Sequence, residues 1–160
     1  MSRADGEASA LREDAVVRAR DHSPFLRDAM SANPDVLRTF VEEGAAAAAT
    51  LSLRAAPDLP IGTRLRRQRH GLALAVALGD LAGELPLEQV TALLSDFADS
   101  AIDQAVDAAI RERVPDAVPT GFAVIAMGKL GSRELNYSSG RPSAAVRSRH
   151  TAEAQPRGCR

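Results

Sequence analysis

Tryptophan is absent and aromatic residues make up only 3% of the 160-residue chain, so the interior must be built mainly from Leu, Val, Ile and Ala. A single cysteine, Cys159, excludes an internal disulfide and agrees with a reducing compartment. No apolar run approaches the roughly 18 residues that a membrane-spanning helix needs. The longest clean one is LALAVAL, from Leu72 to Leu78. The opening residues, MSRADGEASALRED, carry acids early and lack an apolar stretch, which is not the pattern of a secretory signal. Neither sign of charge is in excess, the formal net charge being -1, so there is no electrostatic pull toward nucleic acid or an anionic membrane. Together these absences lead to the expectation of a soluble cytoplasmic protein without nucleic-acid or membrane partners.

What is present fits one ordinary domain, or a small domain plus part of another. Hydrophobic residues make up 45% and charged residues 26%. From Leu11 to about Val114 the patterning is helical, punctuated by proline and glycine. Ser23-Pro24 and Asn33-Pro34 each set a capping side chain before a proline suited to a first helical position. The pattern predicts helices near 8–21, 24–32 and 34–56, the last containing the alanines from Ala45 to Ala49. A further helix is expected from Gly62 to Leu81, ending at Gly83. Its first half carries Arg64, Arg66, Arg67, Arg69 and His70, for which a solvated face with acidic neighbours is favoured over a phosphate-binding patch. After Pro86, residues Val90, Leu93, Leu94, Phe97, Ile102, Val106 and Ile110 recur at spacings of three and four with alanines between them. Such a stripe is core by default, and the expected result is a helical bundle.

At Pro115 the grammar changes. VPDAVPTG reads as a linker, and Phe122 to Met127 is a short apolar run between Gly121 and Gly128, which its length and flanks assign to a buried strand. Beyond Ser139, five arginines face one acid, Glu153, and Val146 is the only large aliphatic residue. That segment, 140–160, is expected to be disordered and too poor in strand formers to pair with the Phe122 strand.

The residues that carry chemistry follow the strand. Glycines let the main chain approach an anion, and N–H groups at a following helix start point toward it. Gly128-Lys129-Leu130-Gly131-Ser132-Arg133 is the candidate. It matches neither of the common glycine-rich phosphate motifs, and spacing alone favours a plain strand-to-helix turn. The whole string GFAVIAMGKLGSRELNYSS, however, resembles the nucleotidyltransferase signature of glutamine synthetase adenylyltransferases: an apolar strand, G-K-L-G-[GS]-x-E-L-N-[FY]-S-S, then D-x-D on the next strand. Gly128, Lys129, Leu130, Gly131, Ser132, Glu134, Leu135, Asn136, Tyr137, Ser138 and Ser139 all match. SPFL from Ser23, LRRQRH from Leu65 and DLAGELPLEQVTALLSDFAD extend the resemblance over roughly residues 20–139.

The resemblance implies a bifunctional enzyme that moves AMP between ATP and a tyrosine of glutamine synthetase and removes it with phosphate, releasing ADP. It further implies Mg²⁺ as metal, glutamine synthetase and a PII-type signalling protein as partners, and control of nitrogen assimilation. A helical lead running into the motif is similar to the N-terminal, adenylyl-removing half. The implied nucleotide-phosphate contacts are Gly128, Lys129, Gly131, Ser132 and Arg133, with Asn136, Ser138 and Ser139 positioning the carboxylate strand. Where the family continues with D-x-D, this chain has Gly140, Arg141 and Pro142, none of which offers a carboxylate. No catalytic or metal-binding residue is therefore assigned, and a truncated or frameshifted product without activity of its own is expected. The expected organisation is a helical region over 1–114, the start of an incomplete α/β nucleotidyltransferase domain over 115–139, and a tail over 140–160. The rival reading is a non-catalytic helical interaction module, which would not need GKLGSRELNYSS.

Overall fold

Local signals place most of the helices in the computed structural model, which describes residues 3–116, 122–137 and 144–148. The chain runs α1 (Arg3–His22), α2 (Pro24–Ala32), α3 (Pro34–Glu43), α4 (Ala45–Leu53), α5 (Ile61–Leu81), α6 (Leu87–Arg113), β1 (Phe122–Ala126), α7 (Gly128–Gly131) and β2 (Ala144–Ser148). Ser23 caps α2, its Oγ accepting the Leu26 N–H at 3.3 Å, with Pro24 at the first helical position. Asn33 corrects the expectation of a second such cap. Its side chain makes no capping bond to α3 and instead donates from Nδ2 to the Ala29 carbonyl at 2.8 Å, closing the end of α2.

The helix expected over 34–56 is two helices. Gly44, at φ +94° and ψ −179°, stands in a backbone region essentially reserved for glycine and turns the chain between α3 and α4. The corner is held from a distance. Glu84 Oε2 accepts the Ala45 N–H at 2.7 Å, and Glu84 is ion-paired with Arg12 of α1. Arg12 also donates to the Val41 and Glu42 carbonyls at 3.4 and 3.5 Å, satisfying orphan acceptors at the end of α3.

α5 is the centre of the bundle. Leu72, Leu74, Ala75, Val76 and Leu78 are all buried, and α5 packs against α1, α2, α3, α4 and α6. The alanine run now has a packing reason: Ala45, Ala48 and Ala49 are buried in the α4–α5 contact. A Cβ on Gly79 would lie 2.5 Å from the Ala45 Cβ, and one on Gly71 would lie 2.9 Å from Ser52 Oγ, so the two helices cross backbone to backbone. Gln68 Nε2 donates to the Leu53 carbonyl at 2.7 Å and fastens the end of α4 to α5.

The apolar stripe of α6 begins in this core and leaves it. Val90 is 2% exposed, whereas Leu93, Leu94, Phe97, Ile102, Val106 and Ile110 are only half-buried. β1 and β2 form an antiparallel pair in the register Phe122↔Ser148, Val124↔Val146 and Ala126↔Ala144. This corrects the expectation for the segment after Ser139: residues 144–148 supply β1 with a strand partner despite their composition. The ends of the predicted disordered tail, 140–143 and 149–160, lie outside the described residues. No strand precedes β1 among the described residues, as the bundle reading requires.

Candidate functional site

The strand, turn and following segment are anchored on the helical bundle by four residues of the motif, Leu130, Arg133, Leu135 and Tyr137. Leu130 and Leu135 are buried, at 2% and 7% exposure, and form with Ala98 of α6 a second small core flanked by Leu94, Ile102 and Ala126. Between the two leucines, Arg133 stands at φ +60° and reaches back to α6, pairing with Asp96 and, at 3.2 Å, with Asp99. The two acids lie three residues apart, hence on one helix face. Their hydrogen bonds and charge, those of Asp96 foremost, hold the Arg133 guanidinium above its ordinary pKa. Finally, the Tyr137 hydroxyl donates toward the Val76 carbonyl (3.4 Å) and Asp80 Oδ2 (3.3 Å) of α5. Removal of that hydroxyl from water pushes the phenol pKa well above its usual value, and the Asp80 carboxylate pushes it further.

Within the turn, the backbone is tight. Gly128 has φ +57°, and a Cβ on Gly131 would sit 2.8 Å from the Ala126 carbonyl oxygen, so the turn folds directly onto the end of β1. The Ser132 N–H returns to the Gly128 carbonyl at 2.9 Å, and the Glu134 N–H to the Lys129 carbonyl at 2.7 Å. Ser132 Oγ donates to Glu134 Oε2 at 3.0 Å and to the Gly128 carbonyl at 3.3 Å. Lys129 and Ser132 are exposed.

Of the expected phosphate contacts, Gly128, Lys129, Gly131 and Ser132 come together in this one turn. Arg133 is held by α6 carboxylates and works as an anchor here. Asn136 follows the buried Leu135 and is exposed. Ser138, Ser139, Gly140, Arg141 and Pro142 lie outside the described residues. Sequence reasoning missed Asp96, Asp99 and Asp80: each is an ordinary surface acid in the helical pattern, and only the pairing of Asp96 with Asp99 one turn apart hinted at a shared cation. Among the described residues no three His, Cys, Asp or Glu side chains converge as a metal site. Asp96 and Asp99 are already paired with Arg133, and Glu134 accepts from Ser132, so the described residues do not fit a magnesium site. No helix among them is long and apolar enough to cross a membrane.

Comparison with known proteins is consistent over most of the chain. Residues 14–141 match the family model for glutamate–ammonia ligase adenylyltransferase. The chain is 36% identical to the bifunctional glutamine synthetase adenylyltransferase/adenylyl-removing enzyme of Rhizobium meliloti, in an alignment covering 82% of this chain and 16% of that protein. It is 40% identical to the enzyme of the same description from Xanthobacter autotrophicus, over 73% of this chain and 14% of that protein. The Rhodopseudomonas palustris strain HaA2 enzyme is 34% identical with the same coverage. The chain thus spans about one sixth of the length of these curated relatives. No solved structure matches it.

Proposed function

The chain belongs to the glutamate–ammonia ligase adenylyltransferase family, and from that premise we propose that it forms the helical lead and the phosphate-contacting turn of a nucleotidyltransferase acting on glutamine synthetase. The reaction is transfer of AMP from ATP to a tyrosine and its phosphorolytic removal with release of ADP, in the cytoplasm, as a control on nitrogen assimilation. A PII-type signalling protein is the proposed regulatory partner. The helical lead running into the motif supports the adenylyl-removing half.

The observation that carries this reading is the turn itself. A strand end, Gly128 at positive φ, Gly131 at close backbone approach and the exposed Lys129 and Ser132 lie side by side, and the segment that follows is bolted to α5 and α6. Such a turn is preorganised: its geometry is set by packing before a ligand arrives, so little ordering cost falls on binding. In it, main-chain N–H groups and the Ser132 hydroxyl would contact nucleotide phosphates while Lys129 balances their charge. No metal-dependent step is assigned, since this chain places Gly140, Arg141 and Pro142 where the family has carboxylates.

Titrating ADP into the ¹⁵N-labelled chain should move the amide signals of Gly128 to Ser132 before any others. Gly131→Val, whose side chain meets the Ala126 carbonyl, should abolish that response with the helical circular dichroism unchanged. Turn signals that stay put at millimolar ADP refute the phosphate reading. The chain by itself should not de-adenylylate glutamine synthetase, because losing a catalytic metal forfeits several powers of ten in rate. Magnesium-dependent turnover that a chelator abolishes would contradict this.

A further inference from the structure

The first half of α5 carries a ridge of cations that the fold does not neutralise. Arg12, Arg18, Arg38, Arg111 and Arg133 all have carboxylate partners. Arg66, Arg67 and Arg69 are exposed, and none has an ion-pair partner among the described residues. Asp35, which shares a groove with Arg66 and Arg67, is itself paired with Arg38. Arg66 and Arg69, with His70, border a cleft of about 580 Å³ between α5, α6 and the segment after the glycine turn. Its floor is the half-buried α6 stripe, chiefly Leu94, Phe97 and Ile102, and among the described residues no Asp or Glu lines it. Phe25 closes one side, its ring edge-on to His70 at 5.9 Å between centroids. His70 Nδ1 is 3.1 Å from the Asn33 amide nitrogen; with that amide donating, the ring proton resides on Nε2 as a further donor.

A cleft of this size, apolar below and cationic on one rim, is complementary to a small molecule with an apolar body and an anionic head. We propose that it is a binding site for a small aromatic or aliphatic phosphate ester, separate from the glycine turn. Residues 128–134 do not line it; of the motif's described residues, Leu135, Asn136 and Tyr137 do. The choice of phosphate follows from charge and shape: two arginines on successive turns of one helix face present forked donors, which suit a dianion with several oxygens. Because Tyr137 also hydrogen-bonds α5, a ligand here would bear on the α5–motif contact, giving the site a route to regulate the turn. The site goes beyond the adenylyltransferase reading and stands without it.

Phenyl phosphate is a suitable probe, with inorganic phosphate and phenol as its two halves. Titrated into the full ¹⁵N-labelled chain at low salt, phenyl phosphate should bind saturably, with a Kd on the order of 1 mM. Signals of Ala73, Phe97, Ala98 and Ile102 should shift. Inorganic phosphate and phenol should each bind at least several-fold more weakly. Arg66→Gln and Arg69→Gln, both at exposed positions that leave the core untouched, should each weaken binding roughly tenfold. Arg67→Gln, which borders only the neighbouring groove, should leave it unchanged. The proposal is overturned by any of four results: no saturable binding, equal binding of inorganic phosphate, retention of affinity in both cleft variants, or shifts confined to Gly128–Ser132. A concentration-dependent dimer burying the cleft, insensitive to Arg66→Gln, would likewise overturn it in favour of a second copy.

Discussion

Gly79→Ala should destabilise this protein, although in an ordinary exposed helix the same change stabilises. Gly79 lies within α5, where replacing glycine by alanine gains roughly 0.8–1 kcal/mol from helix propensity. Against this, the new methyl would stand 2.5 Å from the Ala45 Cβ and 2.8 Å from Leu85 Cδ1. Favourable carbon–carbon contact is about 3.5–4.0 Å, so the overlap exceeds roughly 1 Å. Leu85 can rotate, but the Ala45 Cβ is fixed to the backbone of α4, so the helix must move. Overpacking of this kind costs about 1–3 kcal/mol, and in a site between two helix backbones the upper part of that range applies. The expected net loss is therefore about 1–2 kcal/mol, or about 2–8 °C in Tm for a chain of this size. Urea unfolding followed by circular dichroism at 222 nm measures it. Ala45→Gly removes the opposing methyl, so the double variant should recover much of the Gly79→Ala loss, a coupling on the order of 1 kcal/mol. Gly62→Ala is the control: its Cβ meets only Arg66 Nη2 at 4.0 Å, and it should be neutral or stabilising. A Gly79→Ala chain more stable than the parent, or a double-variant cycle without coupling, would show that α4 and α5 do not cross this closely.

Two further predictions follow from long-range contacts. Glu84→Ala leaves the largely buried Arg12 guanidinium without its carboxylate and the Ala45 N–H without its acceptor, and should cost about 1–3 kcal/mol; Glu84→Gln should cost less, and a urea midpoint for Glu84→Ala matching the parent would refute the corner lock. Tyr137 is the only tyrosine and there is no tryptophan, so absorbance near 295 nm reports its ionisation alone. Its folded pKa is raised above the ordinary 10.0, so the stabilisation from the neutral phenol is complete below that pH and is lost as pH rises beyond it; Asp80→Asn should bring the titration earlier, and a folded chain titrating at 10.0 would contradict the contact.

The sequence alone determined the features whose causes are local. Ser23-Pro24 starts α2 where expected, Gly83 follows the end of α5, and the three-and-four spacing after Pro86 marks the continuous α6. The apolar run from Phe122 to Met127 marks β1, and the GKLGSRELNYSS string carries the family resemblance. Periodicity showed which face of α6 is apolar, but not how far along it neighbours reach, and so Ile102, Val106 and Ile110 remain half-buried. Tertiary structure alone decided the rest. The break at Gly44 is sealed by Glu84, forty residues on, and a partner that distant leaves no trace in a local pattern. Arg133 reads as a phosphate contact until Asp96 and Asp99 are found opposite it. Residues 144–148 have little strand propensity, yet they pair with β1, whose backbone N–H and C=O groups require a partner that side-chain composition does not reveal.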